Sequence, residues 1–257
     1  MKYILLIFAG CALISGCQKI LLDNNRPTGI NSDSTINAGD TLTYEVLTKD
    51  TTGWFGLWNE ADGKMGGNVL DSVTFGTPVC FPSGWRHTII SPDSFFQPLV
   101  SVASRTYQQE VSINLYRNGK LIQVGVQHPL VGVAKLMVKG TSPLPKGTAT
   151  DPIVTYEVVL SKSDTTIFEF DSWTGHWMEA DGVYNDFYNR VLSFMLPIPS
   201  GWRRSFKPPH LPFTMSFTGG PYLKNGNLTT VNFYVNGQLV KTTSSRDWIY
   251  AMDYTVQ

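Results

Sequence analysis

Trp54-Phe55-Gly56-Leu57-Trp58-Asn59-Glu60-Ala61-Asp62-Gly63 returns later in the chain as Trp173-Thr174-Gly175-His176-Trp177-Met178-Glu179-Ala180-Asp181-Gly182. The same companions surround both copies in the same order. Tyr44-Glu45-Val46 and Tyr156-Glu157-Val158 precede them, and Pro82-Ser83-Gly84-Trp85-Arg86 and Pro199-Ser200-Gly201-Trp202-Arg203 follow. Asn114-Leu115-Tyr116-Arg117-Asn118-Gly119 and Asn232-Phe233-Tyr234-Val235-Asn236-Gly237 close each copy. The spacing of equivalent residues drifts only from 112 (Tyr44 to Tyr156) to 119 (Trp54 to Trp173). This is the duplication of a whole domain, because solenoid repeats recur at about 20–50 residues.

Inside each copy the pattern is that of short strands. Leu42, Tyr44 and Val46 fall on one side of an alternating run and Thr43 and Glu45 on the other, as do Val154, Tyr156 and Val158 in the second copy. Further strands are expected near 69–75, 85–90, 99–104, 110–117, 120–127 and 131–138. Asn118-Gly119 and Asn236-Gly237 each separate two alternating runs by the two residues that tolerate the positive φ of a type I′ hairpin turn. No stretch after the N-terminal segment carries a helical period. Seven or eight short strands per copy argue for an all-β protein of two tandem antiparallel β-sandwiches of immunoglobulin-like kind.

The N-terminus supplies an address. Lys2 is a minimal positive segment, and the apolar run from Tyr3 to Leu13 is too short to span a bilayer, so residues 1–16 read as a signal peptide. The polar stretch 17–40 reads as a flexible tether. Residues 41–138 then form the first sandwich, 139–152 a proline- and glycine-containing linker, and 153–257 the second sandwich.

Twenty basic and twenty acidic residues cancel over the chain, which leaves no electrostatic case for nucleic acid. With Cys11 cleaved away and Cys17 lipidated, as the resemblance given below implies, Cys80 is the remaining thiol, so no intramolecular disulfide is expected and each fold stands on its apolar core. Between Val79 and Phe81, that thiol reads as a small buried hydrophobe.

The two copies are most informative at the tryptophans. In a strand, Trp54, Gly56 and Trp58 share one face and Phe55 and Leu57 the other. The second copy keeps Trp173, Gly175 and Trp177 but replaces the other face by Thr174 and His176. One explanation is a sandwich core, with the glycine making room for two indoles. Burying an indole removes about 200 Å² from water, so leaving both wet forgoes a sum comparable to a domain's whole stability, which favours the core. The second explanation is an aromatic platform for a sugar ring, with Trp54, Trp58, Trp173 and Trp177 as the stacking surface and Glu60, Asp62, Glu179 and Asp181 as acceptors at its rim. A contact between the two domains is the third.

Other chemistry has little support. Each Glu-Ala-Asp-Gly sits where a strand should turn, and Asp-Gly is an ordinary turn pair. No catalytic residues are assigned, and the chain is not expected to be an enzyme. His87, His128, His176 and His210 stand apart without metal-ligand spacing, and no metal or other cofactor is expected. Asn114 with Tyr116, and Asn232 with Tyr234, share the polar side of a hairpin strand, either as a binding edge or as an outward cross-strand pair.

Leu13-Ile14-Ser15-Gly16-Cys17 resembles the lipobox of bacterial lipoproteins, which implies lipidation of Cys17 and a membrane anchor. Gln18 after the cysteine implies, by the better-known sorting rule, the outer membrane. A lipid anchor, a tether and two sandwiches together resemble the multi-domain envelope lipoproteins of Bacteroidota, some of which bind glycans while others adhere or scaffold. Each copy is also similar to small envelope β-sandwich domains that open on Tyr-Glu-Val and end on a Val-Asn-Gly-x-Leu hairpin. The resemblance implies a non-catalytic binding or scaffolding lipoprotein whose partner is a protein or a polysaccharide. The alternative it carries is glycan capture through the tryptophan faces. The second copy has seven more residues between Tyr156 and Trp173 than the first has between Tyr44 and Trp54, so the copies need not share one role.

Overall fold

The computed structural model describes residues 35–51, 53–67, 80–104, 109–126, 133–138, 143–161, 172–186, 198–221 and 227–257. Cys17, His128 and the strand expected at 69–75 lie outside them. Among the described residues there is no helix, and none long and apolar enough to cross a membrane.

The first copy contributes β1 (Thr41–Thr48), β2 (Trp54–Asn59), β3 (Met65–Gly67), β4 (Trp85–Ile90), β5 (Leu99–Ser104), β6 (Val111–Arg117), β7 (Lys120–Val126) and β8 (Val133–Met137). They form two antiparallel sheets, ordered β4-β1-β6-β7 and β3-β2-β5-β8. The second copy contributes β9 (Val154–Leu160), β10 (Ser172–Met178), β11 (Tyr184–Asp186), β12 (Ile198–Pro199), β13 (Trp202–Phe206), β14 (Phe213–Pro221), β15 (Thr229–Val235), β16 (Gln238–Ser245) and β17 (Ile249–Val256). Its sheets are β13-β9-β15-β16 and β11-β10-β14-β17, with β12 paired to β10. The duplication reaches the detail of single bridges, since Trp54 pairs with Phe81 where Trp173 pairs with Ile198. The expected all-β pair of sandwiches is the architecture observed.

Local chemistry explains the register. Asn118 and Gly119 have φ of 51° and 78°, and Asn236 and Gly237 have 52° and 75°, the two positive values a type I′ turn requires. The asparagine also ties the hairpin to the start of the first strand. The Asn118 carboxamide accepts from the Thr41 amide at 2.8 Å, and that of Asn236 accepts from the Ile153 amide at 2.9 Å. Asn236 reaches back to the linker as well, accepting from the Gly147 amide and donating to the Thr148 carbonyl, so the end of the linker is fastened to the second sandwich. The first sandwich begins before Thr41. Ile36 is buried in the first core and the Gly39 amide donates to the Ser91 carbonyl, which makes residues 35–40 part of the sandwich.

Each core is filled by the inward side chains of both sheets. Tyr44, Val46, Trp54, Trp58, Ile113 and Leu115 are buried in the first, and Tyr156, Val158, Trp173, Trp177, Val231 and Phe233 in the second. The tyrosine of each first strand crosses to the opposite sheet. The Tyr44 hydroxyl donates to the Asn59 side chain at 2.9 Å, and the Tyr156 hydroxyl to the Met178 carbonyl at 3.0 Å. Burial raises both phenols above their ordinary value, so each stays a neutral donor.

Candidate functional site

The four indoles singled out in the sequence are core residues. Trp54 and Trp173 are 0% exposed, Trp177 1% and Trp58 6%, so they fill the cores as the energetics favoured, and the alternative of a stacking platform for a sugar is not formed there. The physical reason lies in a third tryptophan. Trp85, from the Pro-Ser-Gly-Trp motif on edge strand β4, stands 5.1 Å from Trp54 and 4.7 Å from Trp58 between ring centroids. Trp202 on β13 stands 5.1 Å from Trp173 and 4.6 Å from Trp177. Each trio closes on itself in tilted and edge-on contacts, which rings of this quadrupole prefer. The glycine between the paired indoles answers a different demand from the one expected. A Cβ on Gly56 would lie 2.6 Å from the Ser101 carbonyl oxygen, and one on Gly175 2.4 Å from that of Thr218, so the neighbouring strand excludes a side chain.

The rim carboxylates are committed to the same cores. Glu60 accepts the Trp58 indole N–H at 2.7 Å and pairs with His87 at 2.8 Å. Glu179 accepts the Trp177 indole N–H at 2.5 Å and receives Arg204 through Nε and a terminal nitrogen, the latter at 2.8 Å. His87 and Arg204 occupy equivalent places, one residue beyond Arg86 and Arg203. Asp62 and Asp181 each accept the amide two residues ahead, from Lys64 at 2.9 Å and from Val183 at 3.1 Å, the local bond expected of a turn aspartate.

What the structure does bring together is the two turns. Arg204, while held by Glu179, donates to the Asp62 carbonyl of the first sandwich at 3.1 Å. Its guanidinium lies over Gly63, where a Cβ would stand 2.0 Å from it, and Gly63 has φ of +82°. Lys64 pairs with Asp181 at 3.4 Å, and the Val183 amide, followed by this contact, keeps the Asp181 carboxyl below its ordinary value. Gln97 adds a second point of attachment. Its side chain accepts the Arg203 amide at 2.7 Å and donates to the Gly201 carbonyl at 3.4 Å, so it takes up backbone groups at edge strand β13. Phe55, Leu57, Leu99 and Ala103, on the outward face of β2 and β5, belong to the same buried cluster as the second core. The third explanation for the tryptophan segment, a contact between domains, therefore holds for its flanking residues and its alternate face.

Asn59, Asp93 and Gln97 of the first sandwich and Trp177, Trp202 and Arg204 of the second line a cleft of about 20 Å³. That is room for about one water, whereas small-molecule sites occupy about 300–1,000 Å³. Burial raises the Asp93 carboxyl above its ordinary value, against the amides of Phe95 and Phe96 and the charge of Arg204.

A second constellation, present in both copies, was only half visible in the sequence. On the outward face of each first sheet, Glu45 accepts from Arg86 at 2.6 Å, Asn114 at 2.9 Å and Tyr116 at 2.7 Å. Glu157 accepts from Arg203 at 2.7 Å, Asn232 at 3.0 Å and Tyr234 at 2.8 Å. The Asn-Tyr pairs are thus outward cross-strand partners, and the glutamate of Tyr-Glu-Val and the arginine of Gly-Trp-Arg complete them. Burial disfavours the charged carboxylates, but the three donors outweigh it, and both carboxyls lie below their ordinary value. Burial, and then the bond to Glu157, pushes the Tyr234 phenol up to about 12. The signal available in advance was the joint recurrence of all four residue types in both copies.

Cys80 is half-buried. Among the described residues no group of three histidine, cysteine or carboxylate side chains is placed to hold a metal ion. No protein-family model, curated protein or solved structure matches the chain.

Proposed function

We propose that the chain is a non-catalytic lipoprotein of a bacterial envelope, anchored through Cys17, whose two sandwiches bind or scaffold another macromolecule. The observation that supports this reading best is the commitment of the Glu-Ala-Asp-Gly carboxylates. Glu60 and Glu179 each accept from an indole and a basic side chain, and the turns that carry them join one sandwich to the other. Carboxylates engaged in this way support a role in positioning a surface more than one in moving protons on a substrate. Chemistry of the binding kind then falls to the outer sheet faces.

The lipobox at Leu13–Cys17 supports the anchor and Gln18 an outer-membrane destination. Mass spectrometry of the N-terminal peptide, beside membrane fractionation of Cys17→Ser, tests this directly. An acylated Cys17 and release of the variant from membranes are expected. An unmodified Cys17 in a soluble protein contradicts the anchor. Hydrolytic turnover by the full-length chain, abolished by Glu60→Gln or Glu179→Gln in a folded protein, contradicts the non-catalytic reading.

A further inference from the structure

A sheet edge presents a row of main-chain N–H and C=O groups without partners, a template for pairing with another strand, and folded proteins blunt such edges. Every edge strand but one among the described residues is blunted. β3 and β11 are three residues long. β7, β16 and β17 each meet the neighbouring strand across a register shift, and β8 lies against β7, where a Cβ on Gly125 would stand 2.5 Å from the Lys135 carbonyl oxygen. At β13 the first sandwich does the blunting, since Gln97 takes up the Arg203 amide and the Gly201 carbonyl. The exception is β4.

β4 runs for six residues and stays in register with β1 throughout. The direction of its free groups follows from its neighbour, because the Thr41 carbonyl accepts from Asn118 on the β6 side and the Asp40 carbonyl accepts from Ser91 on the β4 side. Alternation then turns Leu42, Tyr44 and Val46 toward Ile89, His87 and Trp85, and leaves the main-chain groups of Arg86, Thr88 and Ile90 pointing away from the sheet. The second copy has the same direction, since Arg203, at the place of Arg86, is the residue whose amide Gln97 takes. Gly84, Arg86, Thr88 and Ile90 are all exposed, Ile90 at 63%. Among the described residues, nothing covers this edge as Gln97 covers β13.

We infer that the β4 edge pairs with the β4 edge of a second copy of this chain, antiparallel about a two-fold axis at Thr88, joining two four-stranded sheets into one. A second copy is favoured over an unrelated strand because the edge complements itself, as closed two-fold symmetry requires. The side chains select the register. With Thr88 opposite Thr88, Arg86 lies opposite Ile90 of the other copy; Glu45 holds the guanidinium, and the aliphatic stem is left to cover the exposed isoleucine. Centring on Arg86 would oppose two guanidinium groups, and centring on His87 two imidazoles. The match ends at Pro92, whose nitrogen carries no hydrogen. The edge equivalent to β4 is already capped from within this chain, and a second copy caps this one from outside.

Sedimentation equilibrium of the full-length chain in density-matched detergent, with micelles in large excess over protein, tests it. An edge-to-edge contact is small, so a reversible dimer is expected, forming between about 1 and 100 µM. Ile90→Arg, which sets two basic side chains opposite each other, should raise the dissociation constant about tenfold or more. Thr88→Pro, which removes an outward amide and leaves the main-chain ladder to β1 intact, should do the same, and both variants should keep the wild-type melting temperature. On mild oxidation Thr88→Cys should give a disulfide-linked dimer, and Thr242→Cys, on the outward face of β16, should not. A monomer throughout that concentration range overturns the pairing. So does a dimer that both folded variants leave unchanged, which would place the contact elsewhere. Either failure leaves the binding-module reading untouched.

Discussion

In the first sandwich the turn after β2 places Gly63 beneath the Arg204 guanidinium, while the same turn in the second sandwich leaves Gly182 with nothing within 4 Å of where a Cβ would stand. Both glycines have positive φ, +82° and +74°, so both turns need glycine for backbone reasons. Of the two glycines, only Gly63 also lies against a side chain of the other sandwich. The basic residues that serve the two turns differ accordingly. His87 reaches Glu60 and stacks on Trp85 within its own sandwich, at 5.6 Å between centroids. Arg204 has a longer, forked side chain, and can hold Glu179 and the Asp62 carbonyl at once. Duplication supplied two equal turns, and a single change of basic residue type distinguishes the one that reaches across.

The comparison predicts equal losses where the copies are equal. Trp58→Ala and Trp177→Ala should each cost about 3–5 kcal/mol in urea unfolding, because each removes one ring of a closed trio. A loss below about 1 kcal/mol in either protein would show that its indole is not part of a packed core. Losses should be unequal where the copies diverge. Glu179→Gln removes the charge that pairs with Arg204, whose side chain is 16% exposed, and should cost about 2–3 kcal/mol. Glu60→Gln, at a pair whose side chains are 30% and 32% exposed, should cost about 1 kcal/mol or less. Equal costs would erase the distinction between the turns.

Smaller effects sharpen the same contrast. Gly182→Ala should cost about 1 kcal/mol from its positive φ alone. Gly63→Ala should cost more, since its Cβ also displaces the Arg204 guanidinium, and matching melting temperatures for the two variants would mean that this contact is not formed. The smallest effect concerns pH. The carboxyls of Glu45 and Glu157 lie below their ordinary value of 4.5, so their contribution is fully present above pH 4.5 and is lost as pH falls through the folded-state value. Glu157→Gln should flatten the acid limb of the stability curve below about pH 4.5. Glu45→Gln should flatten it less, because Arg86 is 63% exposed where Arg203 is 25%. An unchanged acid limb in Glu157→Gln would remove these clusters from the account.

Periodicity made the strands legible. The runs expected at 85–90 and 99–104 coincide with β4 and β5, and the Asn-Gly turns have the expected φ signs. These features depend on neighbours in sequence, which a single chain displays. The glutamate-centred clusters depend on three strands meeting, so Glu45 and Arg86 carried no visible link to Asn114 until the register brought them together. The tryptophan segment was legible as a shared demand, and energetics pointed to the core, but nothing local identified Trp85 and Trp202 as the rings that close it. The docking of the turns was hidden most deeply. It rests on Arg204 and Gln97, which the duplication does not share: His87 stands in the place of Arg204, and the segment around Gln97 has no repeated motif in the second copy.

The central claim is that the repeated turns couple two sandwiches into one unit, and calorimetry of the full-length chain beside Arg204→Met tests it most directly. The account predicts a single cooperative transition for the wild type, with calorimetric and van't Hoff enthalpies in agreement, resolving into two transitions in the variant. Two separate transitions in the wild type, or a single transition that Arg204→Met leaves unchanged, would contradict it.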